Sequence, residues 1–473
     1  MHIAIRTLRK SCLTCAFVLL LLVSCLQAQT ASSLSPDVRS SIDQMAQQVL
    51  KTTGVPSASI AVVHDGKIAY LQAYGSAKLD PHTPATPQMR YSIGSISKQF
   101  TAAAILLLAE EGKLSLDDPV SKYVPGLTDA NQITIRQLLS HTSGYQDYWP
   151  QDYVPPLMLH PISAQEIMDR WAKIPLDFQP GAKWQYSNTN YVIAGVIVEK
   201  VAGMPLLQFL SQRVFTPLGM TSVADTNANK LPPTDPTGYF SYALGPLHPA
   251  PKEGKGWMFA AGELAMTAED LAKWDISMIN RSVLKPASYR EMETEVVLKD
   301  GVGTQYGLGV FVRDANGRRV LSHGGEVSGF VSDNIVMPDD KIAVVVLTNQ
   351  DASSAASGIG NQVRALLVNA ANPNDPRQDA LMRKVYDSLQ QGKIDRSLFT
   401  DNANAYFDDQ ALKDYASGLG PLGPPKEFKQ TRSSLRGGMT ERIYSIKYSS
   451  KNLVAIIYEM PDGKIEQYLI SEQ

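Results

Sequence analysis

Cysteine is nearly absent from this 473-residue chain: Cys12, Cys15 and Cys25 are the only three, all within the first 25 residues. Once a leader is removed the mature chain keeps none or one, which excludes structural disulfides, cysteine zinc sites and a cysteine nucleophile. An excess of either charge is lacking too. Lys plus Arg total 44 against 46 Asp plus Glu, a net charge of −2, so nothing attracts a nucleic-acid backbone. The seven histidines are scattered without H-E-x-x-H or a paired ligand spacing, and offer no metal site. G-x-S-x-G, the nucleophile elbow of another hydrolase class, does not occur. The G-x-G-x-x-G of Gly418 to Gly423 follows no strand pattern and runs through Pro421, so no dinucleotide or other cofactor is called for. Long apolar runs are also missing. The best of them, Leu13 to Val23, falls short of the ~20 residues that span a bilayer. With Arg6, Arg9 and Lys10 before it and Leu26-Gln27-Ala28 after, it reads as a secretory signal over residues 1–28. Leu22-Val23-Ser24-Cys25 allows the alternative of a lipoprotein signal, with a lipid anchor at Cys25 as the sole tie to a membrane. Either way the chain is expected to be exported, to a periplasm or beyond.

What is present describes a globular protein: 44% hydrophobic residues, 19% charged, and length for two or three domains. Ser57 to Val63 and Lys67 to Tyr74 flank His64-Asp65-Gly66 as a hairpin. A second strand region covers Tyr306 to Arg313, Arg318 to His323, Phe330 to Met337 and Ile342 to Thr348, the last apolar enough to be central in a sheet. Helical patterns fill the interval, notably Ser95 to Glu111, Ile133 to Ser140, Ala164 to Ala172, Asn190 to Val201 and Ala268 to Ile279, and Ser353 to Ala370 closes the unit. Asn372-Pro373-Asn374-Asp375-Pro376 breaks the pattern as a linker. Beyond it come helices to about Ser417, then four strand-like runs, enough for a small α+β domain over residues 377–473.

Three motifs could carry chemistry. In Ser95-Ile96-Ser97-Lys98 a hydroxyl and an amine three residues apart share one helix face, so Lys98 can take the proton that makes Ser95 a nucleophile. Tyr186-Ser187-Asn188 offers a phenol and an amide together at a helix start, where a neighbouring ammonium would lower the phenol's pKa. His323-Gly324-Gly325 precedes a strand, where glycines admit a substrate close to the backbone. Taken singly, these are more often a helix start, a helix cap and a hairpin turn.

As an ordered set they are more specific. With Ile133-Thr134-Ile135-Arg136-Gln137-Leu138-Leu139-Ser140-His141-Thr142-Ser143-Gly144, Pro217-Leu218-Gly219-Met220 and Met266-Thr267-Ala268-Glu269-Asp270-Leu271, the chain resembles the serine β-lactamase and penicillin-binding-protein superfamily. The likeness is to its class C-like branch of esterases and D-aminopeptidases, over about Ile42 to Ala370. It implies an α/β (α+β) fold, an antiparallel five-stranded sheet flanked by helices with an all-helical region, spanning residues 36–371. It implies Ser95 as the acylated nucleophile, Lys98 as proton shuttle, Tyr186 as general base and acid, and Asn188 as a substrate-orienting amide. The backbone amides of Ser95 and Glu326 would form the oxyanion hole, with His323, Gly324 and Gly325 beside the substrate. Relatives of the lactamase kind carry Lys-Thr-Gly at this third motif. A His323 of ordinary pKa would be mostly neutral at pH 7, so small esters, amides or neutral D-amino-acid derivatives are expected ahead of anionic penicillins. The alternatives are a D,D-carboxypeptidase or weak β-lactamase, and a catalytically silent binding protein on the same fold. Tyr145, Tyr148, Trp149 and Tyr153 are expected either to line an acyl pocket or to pack as a loop.

Overall fold

A computed structural model describes residues 34–227, 231–315, 317–371 and 376–472. The leader expected over residues 1–28, and Cys25 with it, lies outside them. An unforeseen helix comes first. In α1 (Pro36–Thr53) Ser35 Oγ accepts the Val38 amide, Pro36 sits in the first turn, and Gly54 closes the helix at φ 76°. Strands β1 (Ser57–His64) and β2 (Lys67–Lys78) form the expected hairpin, turning on Asp65 and Gly66 at positive φ.

Four further strands of the sheet arrive some 230 residues later, as β4 (Phe311–Asp314), β5 (Arg319–Val327), β6 (Phe330–Met337) and β7 (Ile342–Thr348). β7 inserts beside β1 in antiparallel register, Ala58 opposite Thr348 and Val63 opposite Ala343. The five expected long strands lie in the order β2-β1-β7-β6-β5. Short edge strands, β3 (Thr83–Pro84) beyond β2 and β4 beyond β5, widen the sheet to seven among the described residues. Of the stretch Tyr306 to Arg313 only the last part is strand, because Gly309, at φ 79°, turns the chain before Phe311. A Cβ on Gly309 would fall 2.9 Å from the Lys98 carbonyl.

Strand alternation divides the interior. Ile60, Val62, Val344 and Val346 face α1 and the closing helix α5 (Ala355–Ala371) in one core. Ala61, Val63, Val345 and Leu347 face the helical region in a larger one. At its centre α2 (Ser97–Glu110) is buried from Ser97 to Leu108, as a helix apolar on all sides must be. It packs against α3 (Asn188–Ala202), and α4 (Ala268–Asn280) lies under β1 and β7. After residue 375 the chain builds a third core of its own. Helices α6 (Pro376–Leu389) and α7 (Asp409–Leu419) cover a meander of β8 (Glu427–Arg436), β9 (Met439–Lys447), β10 (Asn452–Glu459) and β11 (Ile465–Glu472).

Candidate active site

Ser95 stands not on α2 but just ahead of it, in the single 3₁₀ turn Gly94–Ile96. Gly94 takes φ 51°, and a Cβ there would lie 2.8 Å from the Glu326 amide nitrogen, so the turn abuts β5 directly. Gly325 allows the approach from the other side. Its Cβ would fall 1.9 Å from the Ile93 carbonyl. That carbonyl accepts the Ser332 hydroxyl at 2.9 Å, which ties β6 to the same turn. His323-Gly324-Gly325 therefore belongs to the interior of β5, and the hairpin bends later, at Gly329 with φ 81°. This replaces the hairpin-turn reading of the motif: the glycines serve backbone contact, and the strand runs through them.

Lys98, in the first turn of α2, is fully buried and aims back at Ser95. Its Nζ donates to Ser95 Oγ at 3.0 Å, Asn188 Oδ1 at 2.8 Å and the Ala261 carbonyl at 2.7 Å. Burial lowers the lysine to about 7, against a smaller upward pull from the Asp147 carboxylate. Ser97, the other hydroxyl of the motif, is buried and accepts the Leu264 amide, so it does not compete with Ser95.

Tyr186 precedes α3, and the Lys98 Nζ lies 5.0 Å from the centre of its ring. Its phenol is hydrogen-bonded with Ser95, yet burial pushes it above the ordinary phenol range. The expected depression by the lysine is not found: desolvation, joined by the Asp147 charge, outweighs the lowering by the Ser95 hydrogen bond, and the phenol is held protonated. Asn188 opens α3. Its orientation is set by Asp147, a residue the sequence reading passed over. One Asp147 carboxylate oxygen accepts the Asn188 backbone amide at 2.9 Å and its side-chain Nδ2 at 3.2 Å, which turns Oδ1 toward Lys98. A carboxylate at a helix N-terminus also meets the positive end of the helix dipole. A polar residue three past the end of His141-Thr142-Ser143-Gly144 was the available signal.

His323 is buried, and both ring nitrogens are taken by the protein: Nε2 by the Tyr306 hydroxyl at 2.9 Å, Nδ1 by the Gly324 carbonyl at 2.6 Å. Burial and the nearby Lys98 push it down to about 3. The expectation of an imidazole that gains charge on mild acidification is therefore corrected.

Two cavities meet at Ser95. The larger, of about 570 Å³, is walled by Tyr148, Trp149, Tyr153, Phe240 and Tyr242 together with Asp152, Glu326 and Asp351. Its walls come from chain segments near residues 148–154, 240–243, 326–328 and 351–352. No lysine or arginine lines it among the described residues. Burial and the carboxylates of Asp351 and Asp152 raise Glu326, the mark of a crowded negative wall. Tyr145 takes no part; it is buried with its hydroxyl on the Thr128 carbonyl. The smaller cavity, about 360 Å³, holds Tyr186, Phe311 and His323 at its edge.

A family model described as Beta-lactamase matches residues 42–369. Among curated proteins, a D-aminopeptidase of Brucella anthropi is 29% identical over 304 residues, 63% of this chain and 57% of the relative, so the chain spans little more than half of that protein's length. Among solved structures, a D-stereospecific amidohydrolase from Streptomyces sp. superposes with a TM-score of 0.59 at 28% identity, covering 70% of this chain and 98% of that one. The octameric penicillin-binding protein homologue from Pyrococcus abyssi gives a TM-score of 0.61 at 23% identity over 91% of this chain and 99% of its own. That last likeness is one of fold, and it extends past residue 375.

Proposed function

Since the chain belongs to the beta-lactamase family, we propose that it is a serine hydrolase that forms and hydrolyses an acyl-enzyme at Ser95, on amides or esters of D-amino acids that carry a free amine. The observation that carries this reading is the buried Lys98 amine, 3.0 Å from Ser95 Oγ and lowered to about 7. A base of that strength is about half neutral near pH 7 and can take the serine proton. Burying an amine for ligand binding alone would gain nothing, which argues against the silent-binder alternative.

In the proposed cycle Ser95 Oγ bonds to the substrate carbonyl carbon while Lys98 Nζ takes its proton. The negative oxygen is met by the backbone amides of Ser95 and Glu326, donors worth ~10²–10³ in rate each in such sites. The tetrahedral species then expels its amine or alcohol. The leaving atom takes its proton from the Tyr186 phenol, which the Lys98 ammonium recharges. Water repeats these steps to free the acid and Ser95. Tyr186 thus works as a protonated donor rather than a standing phenolate, in keeping with its raised pKa.

The substrate preference rests on the larger cavity. Aromatic walls suit a bulky side chain, and three carboxylates without a facing cation suit an ammonium and repel the carboxylate of a penicillin. The relatives named for D-aminopeptidase and D-stereospecific amidohydrolase activity fit that preference. Export through the leader belongs to the same proposal. The test is a comparison of kcat/KM for D-phenylalanine p-nitroanilide, its N-acetyl derivative and penicillin G, with Ser95→Ala as the blank. The free-amine anilide is expected to lead. A penicillin turned over faster than both anilides, or activity surviving in Ser95→Ala, would overturn the proposal.

A further inference from the structure

His141-Thr142-Ser143-Gly144 lies between the short helix Ile135–Leu139 and the loop that bears Asp147, and the cycle above gives it no work. His141 is a left-handed residue, φ 58°, in a chain where most positive φ values fall on glycine. Histidine tolerates this conformation better than most side chains, but it remains strained, and such strain collects at functional sites. The turn places one contact on each side of Tyr186 and a third on its ring. The His141 carbonyl accepts the Gln185 amide at 3.0 Å. Its Nδ1 accepts the Ser187 amide at 3.1 Å. Between them its ring lies on that of Tyr186, centres 4.2 Å apart and tilted by 32°.

We propose that His141 is a positioning residue that clamps the Gln185-Tyr186-Ser187 segment and holds the Tyr186 phenol in line with Ser95. This inference rests on the role given to Tyr186 above. Because Nδ1 must accept, the ring carries its hydrogen on Nε2, and that nitrogen is buried without a hydrogen-bond partner among the described residues. Burial above all, with smaller contributions from Lys98 and His323, holds the imidazole well below its ordinary range, so the Nδ1 lone pair is not lost to a proton near neutrality. A left-handed backbone and an unpaired buried donor are both unfavourable. A residue chosen only to fill space would carry neither, whereas one that must grip two amides and a ring from a single point has to accept them.

The test is a double-mutant cycle between His141 and Tyr186. Asparagine adopts the left-handed conformation readily and keeps an acceptor near Nδ1, while removing the ring from the phenol. His141→Asn is expected to lower kcat by about 10- to 100-fold, the cost of a misplaced catalytic group, with KM changed by no more than about three-fold. In a Tyr186→Phe background the same substitution should cost nothing further, because there is no phenol left to place. A packing role would instead multiply the two losses. Multiplied losses, or a His141→Asn variant with wild-type kcat, overturn the inference. Should the asparagine variant not fold, His141→Phe, which keeps a ring and removes the acceptor, is carried through the same cycle and must show the same dependence on the phenol. A Tyr186→Phe variant that alone keeps wild-type kcat sinks the reading of the phenol and this inference with it, whereas loss in Tyr186→Phe without coupling sinks this inference only.

Discussion

Lys98 is a fully buried amine, and its protonation carries two measurable consequences. The first is kinetic. For a neutral ester kcat/KM should rise with pH along a single limb centred near 7, as the lysine loses its proton. Asp147 holds that value up by its charge, so Asp147→Asn should move the limb to lower pH, and a limb that stays in place or moves up would remove Lys98 as the titrating base. The second is thermodynamic. An unfolded lysine titrates near ~10.4, the folded one near 7, so between those values the unfolded chain binds more protons and stability rises with pH. Below 7 both forms are protonated and the cost of burial is constant. Across the whole window the change amounts to roughly 5 kcal/mol, so wild type should gain on Lys98→Met as the buffer is raised from neutrality, with almost no relative change well below 7, between about pH 5 and 6. Parallel denaturation of the two proteins at several pH values decides it. The residue types themselves were readable: S-x-x-K and Y-S-N named Ser95, Lys98, Tyr186 and Asn188, and the structure draws those four together. Their protonation was not readable, since the ordinary values assumed for Tyr186 and His323 are overridden by burial, a property of the folded whole.

Among the elements, the meeting of the Ser95 turn with β5 is the closest fit in the site. Gly94 and Gly325 face one another across it, and neither has room for a methyl group. Gly325→Ala should force the strand from the turn, costing on the order of 1–3 kcal/mol in stability. It should also slow phosphonylation of Ser95 by a fluorophosphonate by ~10²-fold, because the Glu326 amide moves with the strand. An alanine variant that melts and labels like wild type would show that the contact yields easily. The long strands could be read from their apolar runs, Phe330–Met337 and Ile342–Thr348 to the residue, because both cores take alternate side chains from them. Helix α1 was passed over although Ser35, Pro36 and Gly54 frame it, its exposed face being polar enough to hide the pattern. H-G-G misled as a turn because glycine speaks for close approach as well as for bending, and the Ile93 carbonyl that requires Gly325 is distant in sequence. Asp147 and His141 escaped for the same reason.

At the scale of the whole molecule, the C-terminal core shares no residue with the two beside the catalytic sheet. It contains a buried ion pair, Arg442 with Glu459 at 3.1 Å, and Arg442 also donates to Gln430. Arg442→Met would remove a buried cation that contacts both Glu459 and Gln430, a loss of about 3–5 kcal/mol. The expected outcome is a lower melting point for the C-terminal part, with Ser95 still labelled at the wild-type rate below that temperature. Slower labelling in the folded variant would show that the catalytic half depends on that core. Within the catalytic half, the wall of the larger cavity is assembled from separate stretches near residues 148–154, 240–243 and 351–352, while Ser95 and Lys98 stand on a turn and a helix fixed from within. Substitutions in those three stretches can therefore change the shape and charge of the wall while the turn and helix that hold Ser95 and Lys98 stay as they are; only at Glu326 do wall and proposed oxyanion hole share a residue.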